Sequence, residues 1–453
     1  MKRNLLLMAA LLMISVYSNA QYWTAQNLNL PATSRGVRDI SVVDANNVWV
    51  ICYDGTTAGT NVLDFSHTND GGTTWTAGLV GSDTTYSFSN ICGLSYGEAW
   101  ACMYDQLSTT GGGGLWHTVD SGAIWDRVGL GSIFDANSFP DFVHFKDPNH
   151  GFAFGDPNNG YFEIYTTTNG GVNWTRTPQA NTPTPLANEF GIINDFAVSG
   201  DTIWAGTDMG RVLRSVDYGL TWTAATVAAT SRTVIDVAFS DHNNGLAMLV
   251  SGTTTFTYYL YKTTNGGTTW SQVAPVSGFW FKQNITNVPG TSYFVSTSQD
   301  FTTHLTEGSS YTTNLGNTWT LLDTAVQRGE VRFWNSSTGW CGGFSGQVIS
   351  TDGGIFKWGV GPVGLNSPSM VKAELSAYPN PSNGIVTLNF KNRGAADVSL
   401  SLTNSLGEQV FTKTIKNTVL VNKTFDFSGL PKGIYILNLE YGTERSTEKL
   451  VIQ

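Results

Sequence analysis

Short runs of alternating apolar and polar residues follow one another along the chain, and turns rich in Gly, Asn and Asp separate them. Alternation with a period of two is typical of strands that bury one face, and the many Thr, Trp, Tyr and Phe residues also favour strands. After residue 20, no long segment has the i, i+3, i+4 apolar spacing of an amphipathic helix. The pattern therefore predicts an all-β protein.

The first twenty residues have a different pattern. Lys2 and Arg3 precede an apolar run from Leu5 to Val16, and the small residue Ala20 follows that run. The run is too short for a membrane span and polar sequence comes after it, so residues 1–20 are predicted to be a secretory signal peptide. No later segment is apolar enough to cross a bilayer, so the mature chain is expected to have no transmembrane segment.

A repeated turn, Ser/Thr-x-Asp/Asn-x-Gly-x-x-Trp, ends at tryptophans spaced 48 to 50 residues apart. A degenerate seventh copy contains Asp352, but its tryptophan, Trp358, comes one residue late. A constant period of this length indicates a propeller or a solenoid. The key pairs of the six complete copies are Asp70 with Trp75, Asp120 with Trp125, Asn169 with Trp174, Asp217 with Trp222, Asn265 with Trp270, and Asn314 with Trp319.

A second pattern runs in phase with these turns. Before most of them comes a hairpin-like segment such as 39–50 or 195–206, so each period contains two hairpins. Four strands per period and seven periods predict a seven-bladed β-propeller. Residues 22–30 look like the strand that follows each turn, and we expect them to pair with the last blade and close the ring.

The repeated turn resembles the Asp-box, or bacterial neuraminidase repeat, of sialidase-, xyloglucanase- and sortilin-type propellers, and the hairpins resemble those of photosystem II assembly factors. The resemblance covers residues 21–361. It implies that the boxes are structural, because such turns lie on the outer, lower side of family propellers, away from the active site. It implies no activity, because the box occurs in enzymes and non-enzymes alike.

Functional residues are expected at the channel, where the inner strand of each blade begins. By phase, these positions are Asp39, Asn90, Asp141, Asp195, Asp236, Gln283 or Asn284, and Glu330. Crowded carboxylates perturb one another's pKa or attract a cation, so Asp39, Asp236 and Glu330 are candidate ligand-binding residues at one mouth of the channel. The alternative is that these side chains cap strand ends and bind channel water.

Three further features bear on activity. Asp141 and Asp195, on adjacent blades, are the candidate catalytic pair for a two-carboxylate glycosidase. Trp280 is a candidate sugar platform on the upper face, although its loop could equally pack over the core. A sialidase is disfavoured, since Arg35 and Arg38 lie in a suggestive place but no Arg-Ile-Pro motif is present; an arginine cluster that includes Arg232 and Arg332 stays open.

Charge and cysteine spacing exclude other classes of function. Without residues 1–20 the chain has 22 basic and 34 acidic residues, a net charge near −12, so nucleic acid is not an expected partner. Cys52, Cys92, Cys102 and Cys341 lack metal-ligand spacing and are expected to be buried, with a Cys92–Cys102 disulfide left open. No metal site or cofactor is predicted, apart from the open alternative of a cation in the channel mouth.

The repeats stop at a Gly/Pro/Ser-rich linker, residues 362–374, and residues 375–453 show the alternation of a small β-sandwich. The segment Tyr378 to Pro381 with Gly384, the Gly433-Ile434-Tyr435 strand entry and Lys449 near the end resemble the sorting domain of the type IX secretion system. This resemblance implies export by that machinery to the medium or the outer-membrane surface of a Gram-negative bacterium. The expected function is a binding or adhesion module for extracellular polysaccharide or surface protein; the alternative is a sialidase- or xyloglucanase-like glycoside hydrolase that uses carboxylates at the channel mouth.

Overall fold

The computed structural model describes residues 22–32, 34–55, 61–106, 112–134, 137–299, 306–324, 326–345, 353–359, 376–404, 409–441 and 444–453. The chain divides into two compact units, Met1–Val363 and Gly364–Gln453. The expected signal peptide, the linker 362–374 and Asp352 lie outside the described residues.

The first unit is a seven-bladed β-propeller, in which successive antiparallel strands build each blade from the channel outward. Blade 1 contains β2 (Arg35–Val42), β3 (Val48–Asp54), β4 (Asp64–Thr68) and β5 (Thr76–Leu79); blade 2 contains β6 (Tyr86–Gly93), β7 (Ala99–Asp105), β8 (Gly114–Thr118) and β9 (Asp126–Val128). Blade 3 contains β10 (Pro140–Phe145), β11 (Gly151–Asn158), β12 (Tyr161–Thr167) and β13 (Thr175–Arg176); blade 4 contains β14 (Gly191–Ser199), β15 (Thr202–Thr207), β16 (Arg211–Ser215) and β17 (Thr223–Thr226).

The remaining blades vary this plan at their edges. Blade 5 contains β18 (Thr233–Phe239), β19 (Gly245–Ser251), β20 (Thr257–Thr263) and β21 (Ser271–Gln272). Blade 6 contains β23 (Asn284–Asn287), β24 (Phe294–Ser298), β25 (Gly308–Thr312) and β26 (Thr318–Thr324), with β22 (Ser277–Gly278) added beside β26 in parallel. Blade 7 contains β27 (Val331–Asn335), β28 (Thr338–Ser345) and β29 (Gly353–Trp358), followed by β1 (Trp23–Asn27). A 3-10 turn, Gln179–Asn181, precedes blade 4.

The N-terminal strand closes the ring, as the sequence predicted. β1 pairs antiparallel with β29, and Trp23 lies opposite Trp358. Trp23 is buried among Val288 and Val295 of blade 6, the same relation that a box tryptophan has to the blade before its own. Trp23 therefore takes the box-tryptophan position in blade 7. The predicted seventh box is wrong, because Gly354 and Trp358 lie in β29, the third strand of the blade, whereas each complete box turn follows the third strand.

The six complete boxes share one hydrogen-bond pattern. In blade 3, the Thr167 hydroxyl donates to Asn169 Oδ1 (3.0 Å) and accepts from the Gly171 amide (3.0 Å). Asn169 Oδ1 also accepts from the Asn173 amide at 3.0 Å. Because all these bonds fall within eight residues, the turn forms wherever the local sequence supplies the same groups.

Each box tryptophan packs against the preceding blade. Trp125 of blade 2 lies 5.6 Å from the Phe65 ring of blade 1, and Trp222 of blade 4 lies 5.6 Å from the Phe154 ring of blade 3. Burial of one indole removes roughly 200 Å² from water, an upper value of about 5 kcal/mol before entropy is subtracted. The core of the propeller therefore lies between blades.

The second unit is a small β-sandwich. Its strands are β30 (Ser376–Tyr378), β31 (Ile385–Asn404), β32 (Gln409–Asp426), β33 (Gly433–Tyr441) and β34 (Glu444–Ile452). The pairing of β31 with β32 shifts register around residues 391 to 398, and residues from both halves of β31, such as Val386 and Leu402, share one core. At the β34 edge, Asn380 Oδ1 accepts from the Val451 amide at 2.9 Å, so the Pro-Asn-Pro segment caps an otherwise open strand.

We predict that Gly171→Ala lowers the thermal midpoint of the propeller much more than Gly160→Ala does. Both glycines have positive φ, 77° and 90°, but a Cβ at Gly171 would lie 2.3 Å from Trp100 Cη2, whereas a Cβ at Gly160 meets nothing within 4 Å. Backbone strain costs about 1 kcal/mol at either site, and overpacking adds about 1–3 kcal/mol only at Gly171. Thermal and urea unfolding of the two variants measures this difference, and equal losses would contradict it.

Candidate functional site

The inner strand of each blade lines the channel. We call the face at which these strands begin the upper face, and the face at which they end the lower face. Asp39, Asn90, Asp195 and Asp236 lie in the middle of these strands, not at their first residues. All four are buried, as are Asp141 and Glu330. The expected acidic ring at the channel mouth is therefore wrong in its position, because the carboxylates lie inside the propeller.

Three of these side chains bond to the backbone of the next blade. Asp39 Oδ2 accepts from the Ile91 amide (2.9 Å), Asn90 Oδ1 from the Val143 amide (2.8 Å), and Asp236 Oδ2 from the Ile285 amide (2.6 Å). Each bond joins neighbouring inner strands that form no sheet with one another. The polar ring therefore has a structural role, since it satisfies buried amides and connects the blades, but these side chains lie within the strands and do not cap strand ends as the alternative expected.

β-Bulges in the inner strands turn these side chains toward the next blade. The pairing of each inner strand with its neighbour shifts register just before the polar residue, between Val37 and Asp39, between Phe88 and Asn90, and between Val234 and Asp236. An extra residue on one strand bends it and rotates the next side chain. Sequence phase alone does not indicate such a rotation, which is why the depth of the ring was missed.

The candidate catalytic pair, Asp141 and Asp195, lines neither of the two cavities in the channel. Both carboxylates are buried; neither oxygen of Asp141 has a hydrogen-bond partner among the described residues, whereas the Val237 amide of the next blade interacts with Asp195. Burial raises the pKa of Asp141 well above its usual range, and burial raises the pKa of Asp195 to about 7. The carboxylates pack against Gly191 and Gly206, where a Cβ would collide with them. In this conformation neither can contact a substrate from solvent, so the geometry does not support the pair as catalytic.

Two cavities occupy the channel. The upper chamber, about 250 Å³, and the lower chamber, about 450 Å³, share Asn194 and Arg332 as lining residues. Asn194 Nδ2 donates to Asp39 Oδ1 at 2.9 Å, from blade 4 across to blade 1. Asn194 has φ 58°, a left-handed conformation that costs a non-glycine residue about 1 kcal/mol. This bond and the Arg332 side chain divide the channel.

The upper chamber is polar. Arg332 forms an ion pair with Glu330 there, and burial raises the pKa of both Glu330 and Asp236 to about 8, although Arg332 opposes the shift. Donors and acceptors from six blades converge in a space for one sugar-sized group. The polar lining residues are Arg38, Ser89, Asn194, Asp236, Asn284, Glu330 and Arg332.

Two other candidate residues, Asp39 and Trp280, lie outside the upper chamber. Asp39 lines the lower chamber, while Trp280 lines neither chamber and packs against the core cluster around Ile285 and Trp319. Trp280 was therefore misplaced, and the alternative of an apolar loop over the core describes it. Of the arginines considered, Arg38 and Arg332 reach the channel, whereas Arg35 pairs with Asp54 and Asp64.

The described residues hold no group of three His, Cys, Asp or Glu side chains that could bind a metal ion. All four cysteines are buried and unpaired, so the Cys92–Cys102 disulfide left open by the sequence does not form. The site residues that sequence reasoning missed are Ser89 and Asn194; their inner-strand positions were the available signal.

We predict that stability falls as pH rises from about 4 to 8. Asp195, Asp236 and Glu330 have folded pKa values of about 7, 8 and 8, against about 4 in an unfolded chain. The folded state therefore binds more protons over this window, and raising the pH favours unfolding.

The unfolding free energy of the unmodified protein falls between pH 5 and pH 8, and Asp195→Asn should reduce this fall by about 2–4 kcal/mol. The control is Asp120→Asn, an exposed box carboxylate whose pKa is lowered by the Ile124 amide and which acts only at lower pH; asparagine occupies its position in three other boxes. Urea unfolding across pH measures the slope, and an unchanged slope for Asp195→Asn would contradict the assignment.

Residues 376–453 match the family model for the secretion system C-terminal sorting domain. No curated protein sequence matches the chain. No helix among the described residues is long and apolar enough to span a membrane.

Solved structures similar to this chain are propellers of low identity. YCF48 from Cyanidioschyzon merolae is 17% identical over 75% of this chain and 99% of its own, with a TM-score of 0.34. An ancestral GH74 enzyme is 13% identical over 95% and 64% (TM-score 0.47), and a Trypanosoma rangeli sialidase mutant with trans-sialidase activity is 9% identical over 95% and 88% (TM-score 0.41). These values carry no argument about activity. The chain joins a seven-bladed β-propeller to a secretion system sorting domain, and it is a secreted or outer-membrane surface protein of a Gram-negative bacterium.

Proposed function

We propose that the propeller is an exported glycan-binding module that holds a terminal sugar of an extracellular polysaccharide in the upper chamber. The observation that carries the proposal is the convergence of guanidinium, carboxyl, amide and hydroxyl groups in one cavity of about 250 Å³. Sugar hydroxyls both donate and accept, so a site with mixed polar groups suits them better than a site of one charge. Sorting to the cell exterior supplies the compartment in which such a ligand occurs.

Most carboxylates that line the channel already have a hydrogen-bond or ion-pair partner, and this favours binding over hydrolysis. Asp39 and Asp236 each accept a backbone amide from the next blade, and Glu330 is held by Arg332. A glycosidase needs two carboxyl groups placed on either side of the scissile bond. Neither Asp141 nor Asp195 lines a chamber, so this pair does not contact the channel.

A glycoside hydrolase is the second candidate, and one observation favours it. Asp236 and Glu330 share the upper chamber, and burial raises the pKa of each to about 8. A carboxylic acid that keeps its proton at neutral pH can protonate a leaving oxygen. If polysaccharide is cleaved, Glu330→Gln should abolish the release of sugar.

We predict that Asn284→Ala weakens glycan binding about tenfold while Asn287→Ala changes it less than about twofold. These residues lie at opposite ends of β23, with Asn284 in the upper chamber and Asn287 in the lower chamber. Loss of one hydrogen bond in a desolvated site costs about 1–1.5 kcal/mol, which corresponds to about tenfold in affinity.

The purified protein and both variants are tested against sialylated, plant-wall and microbial polysaccharides, and binding and released sugar are scored together. Binding without release supports the proposal, and released sugar replaces it with the hydrolase. Binding that both variants keep equally, or no binding to any polysaccharide, would overturn the proposal.

A further inference from the structure

The lower chamber differs from the upper chamber in size and chemistry. It encloses about 450 Å³, and its walls include Ile40, Val143, Phe196, Val237 and Ile285. Its polar side chains are largely committed: Asn90 bonds the Val143 backbone through both side-chain groups, and Ser41 accepts from the Gly93 amide. The lining also includes Asp39, His144 and Arg332, so the walls are mixed, although they are less polar than those of the upper chamber, and their apolar part suits an apolar side chain.

An exposed aromatic ring stands at the rim of this chamber. Trp334, near the end of β27, lines the chamber and keeps 44% of its surface exposed. It is the exception among inner-strand aromatics, since Phe142 and Phe88 are buried between blades. A large indole left at a cavity mouth offers a contact surface for an apolar group and a face for a cation.

The turns that surround the lower mouth are acidic. Seven turns follow directly on the inner strands, and together they carry five carboxylates and one lysine. The lysine, Lys146, is already paired with Asp201. The carboxylates belong to Asp44, Glu98, Asp147, Asp201 and Asp241.

Hydrogen bonds within these turns favour the ionised form of the carboxylates. The Asn149 amide lowers the pKa of Asp147; burial opposes ionisation of Asp241, but hydrogen bonds from the Asn244 side chain and nearby amides prevail, and its pKa is also lowered. These turns therefore carry a net negative charge at neutral pH. It repels anionic lipid surfaces and a second copy of the same face, and it attracts a cationic partner.

From the partly apolar chamber, the exposed ring and the acidic rim together, we propose that the lower face binds a basic polypeptide segment and takes one of its apolar side chains into the lower chamber beside Trp334. The site is distinct from the glycan site, since Asn194 and Arg332 form a wall that the two chambers share. It gives the exported protein a second partner of a different class.

The probe is a labelled, capped pentapeptide with leucine between pairs of lysines, measured by fluorescence polarisation against the purified protein. Exchange of leucine for serine should weaken binding about tenfold, because an apolar group is no longer buried. Exchange of the lysines for glutamates should remove binding. Equal binding of the lysine and glutamate probes, or no binding of the lysine probe, would overturn the proposal.

Trp334→Ala should weaken binding of the lysine probe about fivefold or more, since it removes the ring at the rim. The control is Phe256→Ala, which removes a somewhat more exposed aromatic side chain (57%) from the loop between β19 and β20 at the upper face. Trp334→Phe keeps an aromatic ring and should restore most of the affinity. Equal effects of Trp334→Ala and Phe256→Ala would overturn the assignment of the site.

The double variant Asp147→Asn, Asp241→Asn should weaken binding about threefold at low salt, and the difference should vanish at high salt because the rim charges are screened. Asparagine keeps the turn, as Asn335 does at the same position in blade 7 by accepting from the Ser337 amide. The control Asp83→Asn changes a similar turn that caps Thr85 near the upper face. A loss that persists at high salt would exclude the electrostatic part of the proposal. Asn284→Ala should leave peptide binding unchanged, so the glycan and peptide proposals can fail separately.

Discussion

The structure depends on how each blade is held to the next, because inner strands of neighbouring blades form no sheet with one another around most of the ring. Backbone amides on their flanks are buried and need acceptors, and side chains such as Asp39, Asn90 and Asp236 supply them. The box tryptophans complete the same contacts farther out by packing on the preceding blade. A ring assembled in this way commits most of its polar channel residues to stability, so ligand recognition depends on the groups that remain.

The remaining groups divide between two ends of one channel. Asn194 adopts a left-handed backbone so that its side chain can reach Asp39, and strain of this kind persists only where surrounding structure enforces it. With Arg332 it separates the smaller, polar upper chamber from the larger, less polar lower chamber. Two sites of unlike chemistry on opposite faces would allow an exported protein to connect a carbohydrate to a polypeptide.

The sequence predicts local features well, but it does not predict how far inside the propeller a polar side chain lies. The boxes follow from residues within eight positions, such as Thr167, Asn169 and Gly171, so their turns and their phase were predictable. The closing strand was predictable because residues 22–30 resemble the strand after each box. The buried position of Asp39 and Asp236 depends on bulges that no residue pattern marks. Trp280 and Trp334 each follow a phenylalanine, so the local sequence does not distinguish them. The structure shows that Trp280 packs on the core and that Trp334 lies beside the channel.

The pairing of Trp23 with Trp358 has a consequence for the order of folding. Contacts between residues this far apart along the chain are formed late, because the entropy of closing the loop must be overcome before the pairing contributes. Until β29 is available, β1 has no partner strand and blade 7 keeps an open edge. The ring therefore cannot be completed until nearly the whole propeller sequence is available, and the pairing of the first strand with the last decides whether the molecule is closed.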